Sequence, residues 1–361
     1  MKKTLLAIAA MVAMVACNND YVVKEAAPEA ISFENMFVDN ATRSVNDPSL
    51  TVDTINDFAV YGYVQNGTNN AVLFDGTKVY KNDSSKWQYD GIQYWINGAT
   101  YNFNAVAPMT GGNWTVVKTD ADGNVVTDAT KTTLSFTNDG ETDLLYAKSP
   151  AIIREATSED AVAFTFRHTL SKVKFSFTNG YNATNSSIRV KNIKIKDAHK
   201  TATVVLGDAT TWSNQANNLE LSFGNAAVGA VDAEEAIAYT KTVESYKELF
   251  LIPGASDTDV TIINADGTQT IKNDVYTVTF TVELLMNGDV LGSYNHKVYT
   301  TFAPEAGKAY DIAAEITPAN LDPSNEQEAI EFTVREITDW VNDNTTDGDD
   351  DDSEPDHVPV N

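Results

Sequence analysis

The stretch Tyr276-Thr-Val-Thr-Phe-Thr-Val-Glu-Leu284 alternates apolar and polar residues along its whole length. Successive side chains of a β-strand point to opposite faces of a sheet, so a period of two predicts a half-buried strand. Strands of this kind are typical of antiparallel sheets. Asn287-Gly288 follows, and this dipeptide favours a tight hairpin turn that leads back through residues 290–301.

The same alternation recurs along most of the chain. Val173, Phe175 and Phe177 alternate with polar residues, and so do the apolar residues of 330–334. Gly, Asn, Asp and Pro separate these short runs, whereas helical signals are scarce. The pattern predicts an all-β chain that contains two β-sandwiches in series.

The alternation of apolar and polar residues shifts by one position within residues 188–195. Ile188 and Val190 occupy one phase of the alternation, whereas Ile193 and Ile195 occupy the other. An extra residue in one strand shifts the pairing by one position, so the sequence predicts a β-bulge near Asn192.

The length of 361 residues favours two domains, and a polar stretch around 150–162 suggests where they meet. From residue 341 onward the composition becomes acidic and excludes a packed core. The predicted organisation is a lipoprotein signal peptide at 1–16, a lipidated propeptide with a removable strand at 17–43, an N-terminal β-sandwich domain at 44–160, a C-terminal β-sandwich domain at 161–342 and an acidic disordered tail at 343–361.

The N-terminus has the features of an export signal. Lys2 and Lys3 precede an uncharged run, residues 5–16, which is too short to span a bilayer. The run ends at Cys17, the only cysteine of the chain, and a small residue precedes it. This arrangement resembles a bacterial lipobox and predicts lipidation of Cys17; a plain secretory signal with a chance cysteine is the alternative.

A short apolar segment and a basic residue follow the signal. Ile31, Phe33, Phe37 and Val38 are the apolar residues of a predicted strand. Ala41-Thr-Arg43-Ser44 then reads as an exposed loop, where a protease can reach the Arg43–Ser44 bond. An ordinary loop arginine is the alternative reading of Arg43.

Charge and composition exclude several classes of function. The formal net charge of −26 repels phosphate backbones, so we expect no nucleic-acid partner. A single cysteine allows no intrachain disulfide and no cysteine-based metal site. Residues 343–354 have the acidic spacing of a calcium loop, but Thr345 departs from it and flanking helices are absent from the pattern. We therefore predict no metal site and no cofactor.

Enzyme signals are also weak. The four histidines occur outside HExxH and other metal-binding spacings, and no GxSxG, GxGxxG or P-loop motif is present. His168 stands at a strand end, which favours a hydrogen-bonded structural imidazole. The sequence predicts that the protein is not an enzyme, although 51 acidic residues make chance carboxylate pairs unavoidable.

Residues 87–103 are dense in aromatic side chains. Exposed rings could stack on sugars, which would make the protein a surface glycan-binding lipoprotein that does not polymerise. Trp95, Tyr101 and Phe103 share one parity, however, and this favours packing in a core.

Several stretches together resemble the fimbrillin family of Bacteroidetes surface lipoproteins, which build type V pili. The resemblance covers residues 1 to about 342. It is carried by Cys17 with its lipobox, the strand before Thr42-Arg43, Trp87-Gln-Tyr89, Tyr94-Trp95, Tyr101-Asn-Phe-Asn-Ala-Val-Ala-Pro108, Phe164-Thr-Phe-Arg-His-Thr-Leu-Ser-Lys-Val173, Leu251-Ile-Pro-Gly254, Phe302, Ala306-Gly-Lys-Ala-Tyr-Asp-Ile312, Ile330-Glu-Phe-Thr-Val334 and Trp340.

The resemblance implies a fimbria or pilus subunit with two tandem transthyretin-like β-sandwich domains, which supports adhesion. It implies export to the outer membrane through lipid on Cys17, and cleavage after Arg43 by a trypsin-like protease. The strand with Ile31, Phe33, Phe37 and Val38 would then be lost. A donor strand from another fimbrial subunit, the same protein or a related pilin, would replace it in the fimbria.

The C-terminal region contains the candidate donor strand. Its apolar residues are Ile330, Phe332, Val334, Ile337 and Trp340. The acidic tail beyond it cannot fill an apolar groove. If the segment instead completes its own domain, the chain is a tip or anchor subunit or a non-assembling relative.

Overall fold

The computed structural model describes residues 29–38, 49–117, 133–155, 161–205, 211–228, 231–263, 267–321 and 330–337. Within these ranges the protein contains 22 strands and one short 3-10 helix, Pro318–Leu321. The predicted all-β sandwich class is confirmed. No helix in this part of the chain is long and apolar enough to cross a bilayer.

The strands are numbered in chain order. They are β1 (Phe37–Val38), β2 (Asp57–Asn66), β3 (Asn69–Lys81), β4 (Trp87–Tyr89), β5 (Thr100–Ala107), β6 (Trp114–Val117), β7 (Thr133–Thr137), β8 (Leu145–Lys148), β9 (Ile152–Ile153), β10 (Thr165–His168), β11 (Ser171–Asn179), β12 (Ser186–Val205), β13 (Trp212–Gly224), β14 (Ile237–Ala238), β15 (Thr242–Glu244), β16 (Leu249–Leu251), β17 (Val260–Ile263), β18 (Gln269–Lys272), β19 (Val275–Met286), β20 (Asp289–Thr301), β21 (Ala309–Ile316) and β22 (Thr333–Ile337).

The first sheet contains most of the N-terminal strands. Its order is β1-β10-β8-β5-β2-β3-β4, and β9 also pairs with β5. β1 runs parallel to β10, whereas the other pairs are antiparallel. β1 therefore forms one edge of this sheet.

Two further sheets, of five and seven strands, and a small hairpin contain the remaining strands. One sheet has the order β15-β11-β21-β22 with β16 on β11, and the other has the order β20-β19-β12-β7-β6 with β13 and β14 on β12. β22 pairs antiparallel with β21 at the edge of its sheet. β17 and β18 pair only with each other among the described residues.

The stretch Tyr276–Leu284 lies in β19, between β12 and β20. Its five apolar residues are all buried, as the alternation predicts. Asn287 and Gly288 both have positive φ, 51° and 91°, and close the predicted two-residue hairpin. The predicted bulge is also confirmed, because the β12–β19 register shifts between Lys191 and Lys194.

Three clusters of buried side chains form the core. One lies with the first sheet, and a second combines residues of the five-stranded and seven-stranded sheets. A third combines residues from both halves of the chain, including Phe136 and Tyr146 from the first half and Ala202 and Phe250 from the second. Strand pairing also crosses the predicted domain boundary at residue 160, because β7 pairs with residues 201–205 of β12. The two tandem domains and their limits stay a prediction.

Candidate functional site

Residues 29–38 lie between residues 93–95 and residues 162–166 beside the first sheet, and we call the space between these two stretches the slot. On one side the segment runs antiparallel to residues 93–95: the amide of Ile31 donates to the Gln93 carbonyl at 2.8 Å, and the amide of Trp95 donates to the Glu29 carbonyl at 2.9 Å. These bonds set the register of the segment against its neighbour.

On its other side the segment runs parallel to residues 162–166. Val162 donates its amide to the Ser32 carbonyl at 2.8 Å and accepts the amide of Glu34 at 3.1 Å. Further along, the amide of Phe37 donates to the Phe164 carbonyl at 3.0 Å, and β1 pairs with β10. The segment thus forms backbone hydrogen bonds on both sides, as an inserted strand does.

Phe33 is the centre of the first core cluster. Its side chain is 2% exposed, and Ile31 and Met36 are buried beside it. Five aromatic rings surround the Phe33 ring with centroids 5.5–6.4 Å away: Phe58, Phe74, Tyr89, Phe103 and Phe164. Edge-on and stacked contacts of this kind add to the free energy gained by burying the ring.

The segment changes face at Asn35. Its φ of 52° lies in the left-handed region, which asparagine tolerates better than most residues. Met36 is therefore buried, whereas Phe37 is 61% exposed and Val38 is half-buried. Sequence reasoning missed Met36, and the one available signal was the asparagine before it.

Tyr89 binds the segment through a side-chain hydrogen bond. Its hydroxyl donates to the Ile31 carbonyl at 2.8 Å and accepts the amide of Gln93 at 3.2 Å. Burial raises the pKa of this hydroxyl, so it stays a donor at any physiological pH. The aromatic stretch 87–103 therefore includes groups that line the slot.

Other aromatic residues of this stretch lie in the core. Trp95, Tyr101 and Phe103 are buried, and the rings of Trp95 and Tyr101 meet edge-on at 4.7 Å. The Tyr101 hydroxyl accepts the amide of Ile96 at 2.7 Å, and burial raises its pKa. Tyr94 is 46% exposed. The shared parity of the three buried rings thus correctly indicated core packing.

An ion pair between a buried arginine and a half-exposed carboxylate lies at the start of the segment. Arg154 is 3% exposed, and its guanidinium pairs with the Glu29 carboxylate. The same guanidinium lies over the Trp95 ring at 5.1 Å. Within the described part of the chain, Glu29 supplies the carboxylate partner of this cation.

The processing residues lie elsewhere in the sequence. Cys17, Arg43, Ser44 and the acidic tail are outside the described residues. Lipidation of Cys17 and cleavage after Arg43 therefore stay predictions, and so does the expectation that the tail holds no metal site. The described part of the segment ends at Val38, five positions before Arg43.

The candidate donor strand pairs with a strand of its own molecule. β22 is an edge strand of the sheet that contains β21, and Ile330 is buried. Phe332 contacts Phe175, Phe177 and Phe280 at centroid distances of 5.7–6.3 Å. Val334 and Ile337 are partly buried, whereas Trp340 is outside the described residues.

Titratable groups form structural contacts away from this slot. His168 Nδ1 lies 2.8 Å from Asp143 Oδ2, and both side chains are fully buried. The same carboxylate oxygen accepts the amide of Leu50 at 2.9 Å. The predicted hydrogen-bonded structural imidazole is confirmed. Among the described residues no three His, Cys, Asp or Glu side chains come close enough to hold a metal ion.

The sequence itself decides the family. Residues 42–340 match the model of the fimbrillin-like family. The chain belongs to the fimbrillin-like family. The predicted resemblance is confirmed over most of the chain. For this fimbrillin-like protein, membership indicates a structural or adhesive role at the cell surface, together with other fimbrial subunits, rather than catalysis.

Two solved structures are similar to this chain at low sequence identity. A candidate cell adhesion protein from Bacteroides ovatus is 17% identical, with a TM-score of 0.49 over 88% of this chain and 99% of that one. The fimbrial anchor protein Mfa2 from Porphyromonas gingivalis is 11% identical, with a TM-score of 0.30 over 86% of this chain and 97% of that one. No curated protein matches the sequence.

Proposed function

We propose that this protein is a fimbrial subunit precursor whose N-terminal strand is exchanged for a strand of another subunit. One observation carries the proposal: Phe33, near the N-terminal end of the chain, fills the centre of the first aromatic core. A segment next to a predicted cleavage point thereby completes a core that another strand can complete equally well.

Loss of the segment would create a strong binding site. Burying Ile31, Phe33 and Met36 gives about 1.5–3 kcal/mol each, so an empty slot forgoes roughly 4.5–9 kcal/mol of apolar burial. The backbone groups of Gln93 and Val162 would also lose their hydrogen-bond partners. Another extended strand satisfies both requirements at once, which favours assembly by β-augmentation.

Export and processing complete the proposed pathway. Lipid on Cys17 holds the precursor at the outer membrane, and a trypsin-like protease cuts after Arg43. Removal of residues up to 43 takes Ile31, Phe33, Phe37 and Val38 away with the lipid. The donor comes from the C-terminal region of another fimbrial subunit, with Ile330, Phe332, Val334, Ile337 and Trp340 as its apolar residues in this chain.

Limited proteolysis tests the proposal directly. Trypsin treatment of the lipid-free protein should give a stable core that begins at Ser44, identified by mass spectrometry. Size-exclusion chromatography should then show higher oligomers, because the vacated slot takes a strand from a neighbour. The variant Arg43→Gln is the matched control and should keep residues 29–38 and remain a monomer. A trimmed core that persists as a monomer at high concentration contradicts assembly by strand exchange.

A further inference from the structure

Arg154 stands at the entrance of the slot and is held there by groups that do not belong to the removable segment. Its amide donates to the Ala99 carbonyl at 3.0 Å, and its carbonyl accepts the amide of Gly98 at 2.8 Å. Its guanidinium lies over Trp95. The cation therefore stays in place when the segment leaves.

The carboxylate that neutralises this cation does belong to the segment. Glu29 pairs with the Arg154 guanidinium; the Arg154 side chain is 4% exposed, whereas the Glu29 side chain is 45% exposed and reaches the cation from the solvent side. Nε of Arg154 has no hydrogen-bond partner in the described part of the chain. A buried charge without its partner is strongly destabilising, so an incoming strand that lacks a carboxylate at this point would bind poorly.

The backbone bonds fix where that carboxylate must stand. Glu29 and Ile31 bond to Trp95 and Gln93 through the main chain, which places the carboxylate two residues before the first buried side chain. Phe33 follows four residues after Glu29. The slot thus fits a strand with an acidic residue, then Ile two positions later and an aromatic residue two positions after that.

The chain contains this pattern again in its C-terminal region. Glu29-Ala-Ile-Ser-Phe33 and Glu328-Ala-Ile-Glu-Phe332 differ only at the fourth position. Ser32, at that position, is exposed, so the slot has room for Glu331. A related stretch, Glu235-Ala-Ile-Ala-Tyr239, includes β14, which is paired with β12 inside the fold.

We propose that Arg154 selects the donor strand and sets its register by pairing with Glu328 of a second copy of this chain. Ile330 then takes the place of Ile31, and Phe332 takes the place of Phe33 among the aromatic rings. This inference rests on the proposed strand exchange and adds the residue pair that sets the register of the donor. To act as donor the segment gives up its pairing with β21 and the aromatic contacts of Phe332 in its own core, and because β22 is an edge strand no inner strand is disrupted.

Peptide binding to the full chain after cleavage at Arg43 tests the inference. A fluorescent peptide of residues 326–340 is compared with the same peptide carrying Glu328→Gln or Glu331→Gln. Both substitutions remove one negative charge, but only Glu328 faces Arg154 in the proposed register. We expect Glu328→Gln to raise Kd by about 10- to 100-fold, the range for a lost charge-assisted hydrogen bond, and Glu331→Gln to change it less than twofold.

A charge exchange extends the test to the receptor. Arg154→Glu should weaken binding of the natural peptide and strengthen binding of a peptide with Glu328→Arg. Circular dichroism checks that this variant is folded. If it does not fold, the comparison of Glu328→Gln with Glu331→Gln on the natural cleaved chain decides alone.

A peptide of residues 27–38, the original segment, separates the possible failures. If both natural peptides bind and Glu328→Gln has no greater effect than Glu331→Gln, the role of Arg154 is wrong and strand exchange stands. If the 27–38 peptide binds and the 326–340 peptide does not, the second copy is not the donor. If neither peptide binds the cleaved chain, strand exchange itself is contradicted and the inference falls with it.

Discussion

Phe33 and Phe37 are four residues apart in one segment and have opposite environments. Phe33 is enclosed by five aromatic rings, whereas the Phe37 side chain is largely exposed. The cause is the left-handed backbone of Asn35, which shifts the alternation by one residue and turns Met36 inward. The buried apolar side chains of the segment are thus those of Ile31, Phe33 and Met36.

This difference predicts the stability of two matched variants of the uncleaved chain. Phe33→Ala should lower the free energy of unfolding by about 3–5 kcal/mol, because it leaves a cavity among packed rings. Phe37→Ala should change it by less than about 0.5 kcal/mol, because an exposed side chain loses little on truncation. Urea titration followed by tryptophan fluorescence measures both. Equal effects of the two substitutions would contradict the placement of Phe33.

His296 predicts a pH dependence of stability. Its ring stacks on Phe280 with centroids 5.2 Å apart, and burial lowers its pKa to about 4. The unfolded chain takes up a proton below its ordinary pKa of 6.5, whereas the folded chain does so only near 4. Stability should therefore fall by about 2–2.5 kcal/mol as the pH drops from 7 to 4.5.

His296→Phe isolates that contribution. The variant keeps a stacked ring but cannot bind a proton, so its stability should fall less over the same pH range. Urea titrations at pH 7 and 4.5 for both proteins give the difference. The other three histidines are common to both proteins and cancel in the comparison. An identical pH dependence in the two proteins would rule out His296 as its source.

At the scale of elements, residues 29–38 and residues 330–337 do the same kind of work in different cores. Residues 29–38 are hydrogen-bonded on both sides, whereas residues 333–337 form an edge strand, and each segment contributes a phenylalanine to an aromatic group, Phe33 in one case and Phe332 in the other. The two segments share Glu-Ala-Ile-x-Phe. This likeness makes their exchange physically reasonable, since each fits a slot of similar chemistry.

Hydrogen exchange should report the state of the slot. The amides of Trp95 and Val162 donate to Glu29 and Ser32 of the segment. Both amides should exchange slowly in the intact protein, at least about tenfold faster after cleavage at Arg43, and slowly again in the assembled oligomer. The amide of Phe250, which donates to Gly140 elsewhere, is the internal control and should stay protected throughout. Unchanged protection of Trp95 and Val162 after cleavage would mean that the segment remains bound.

At the scale of the whole molecule, the two halves of the chain share a core. β6 and β7 come from the first half but join the sheet of β12, and the third cluster includes Phe136, Tyr146 and Phe250. Phe136 is buried and its ring lies 6.1 Å from that of Trp212. Such interlocking favours cooperative unfolding of the described parts as one unit.

This arrangement predicts a single thermal transition for the natural protein. Phe136→Ala should lower the free energy of unfolding by about 3–5 kcal/mol, because it opens a cavity in the shared cluster. The whole transition should shift to a lower melting temperature, with no part of the protein still unfolding at the original one. Ile271→Ala, at a 65% exposed position, is the control and should change little. Calorimetry that resolves two transitions, only one of them shifted by Phe136→Ala, would contradict a shared core.

Sequence reasoning succeeded where the pattern is local. The alternation of Tyr276–Leu284, the turn at Asn287-Gly288 and the bulge near Asn192 each depend on neighbouring residues, so they are readable in the chain. The family resemblance likewise depends on short stretches in a given order. The pairing of β7 with β12 joins residues more than sixty positions apart, so no local sequence pattern predicts it.

The same division holds for the candidate site. The sequence alone determined the all-β class, the fimbrillin-like family and the apolar character of the segment that contains Ile31 and Phe33. Only the tertiary structure decided which side of that segment is buried, because the turn of the chain at Asn35 sets the face. It also decided that Arg154 meets Glu29, since two residues 125 positions apart pair only when folding brings two strands to one slot.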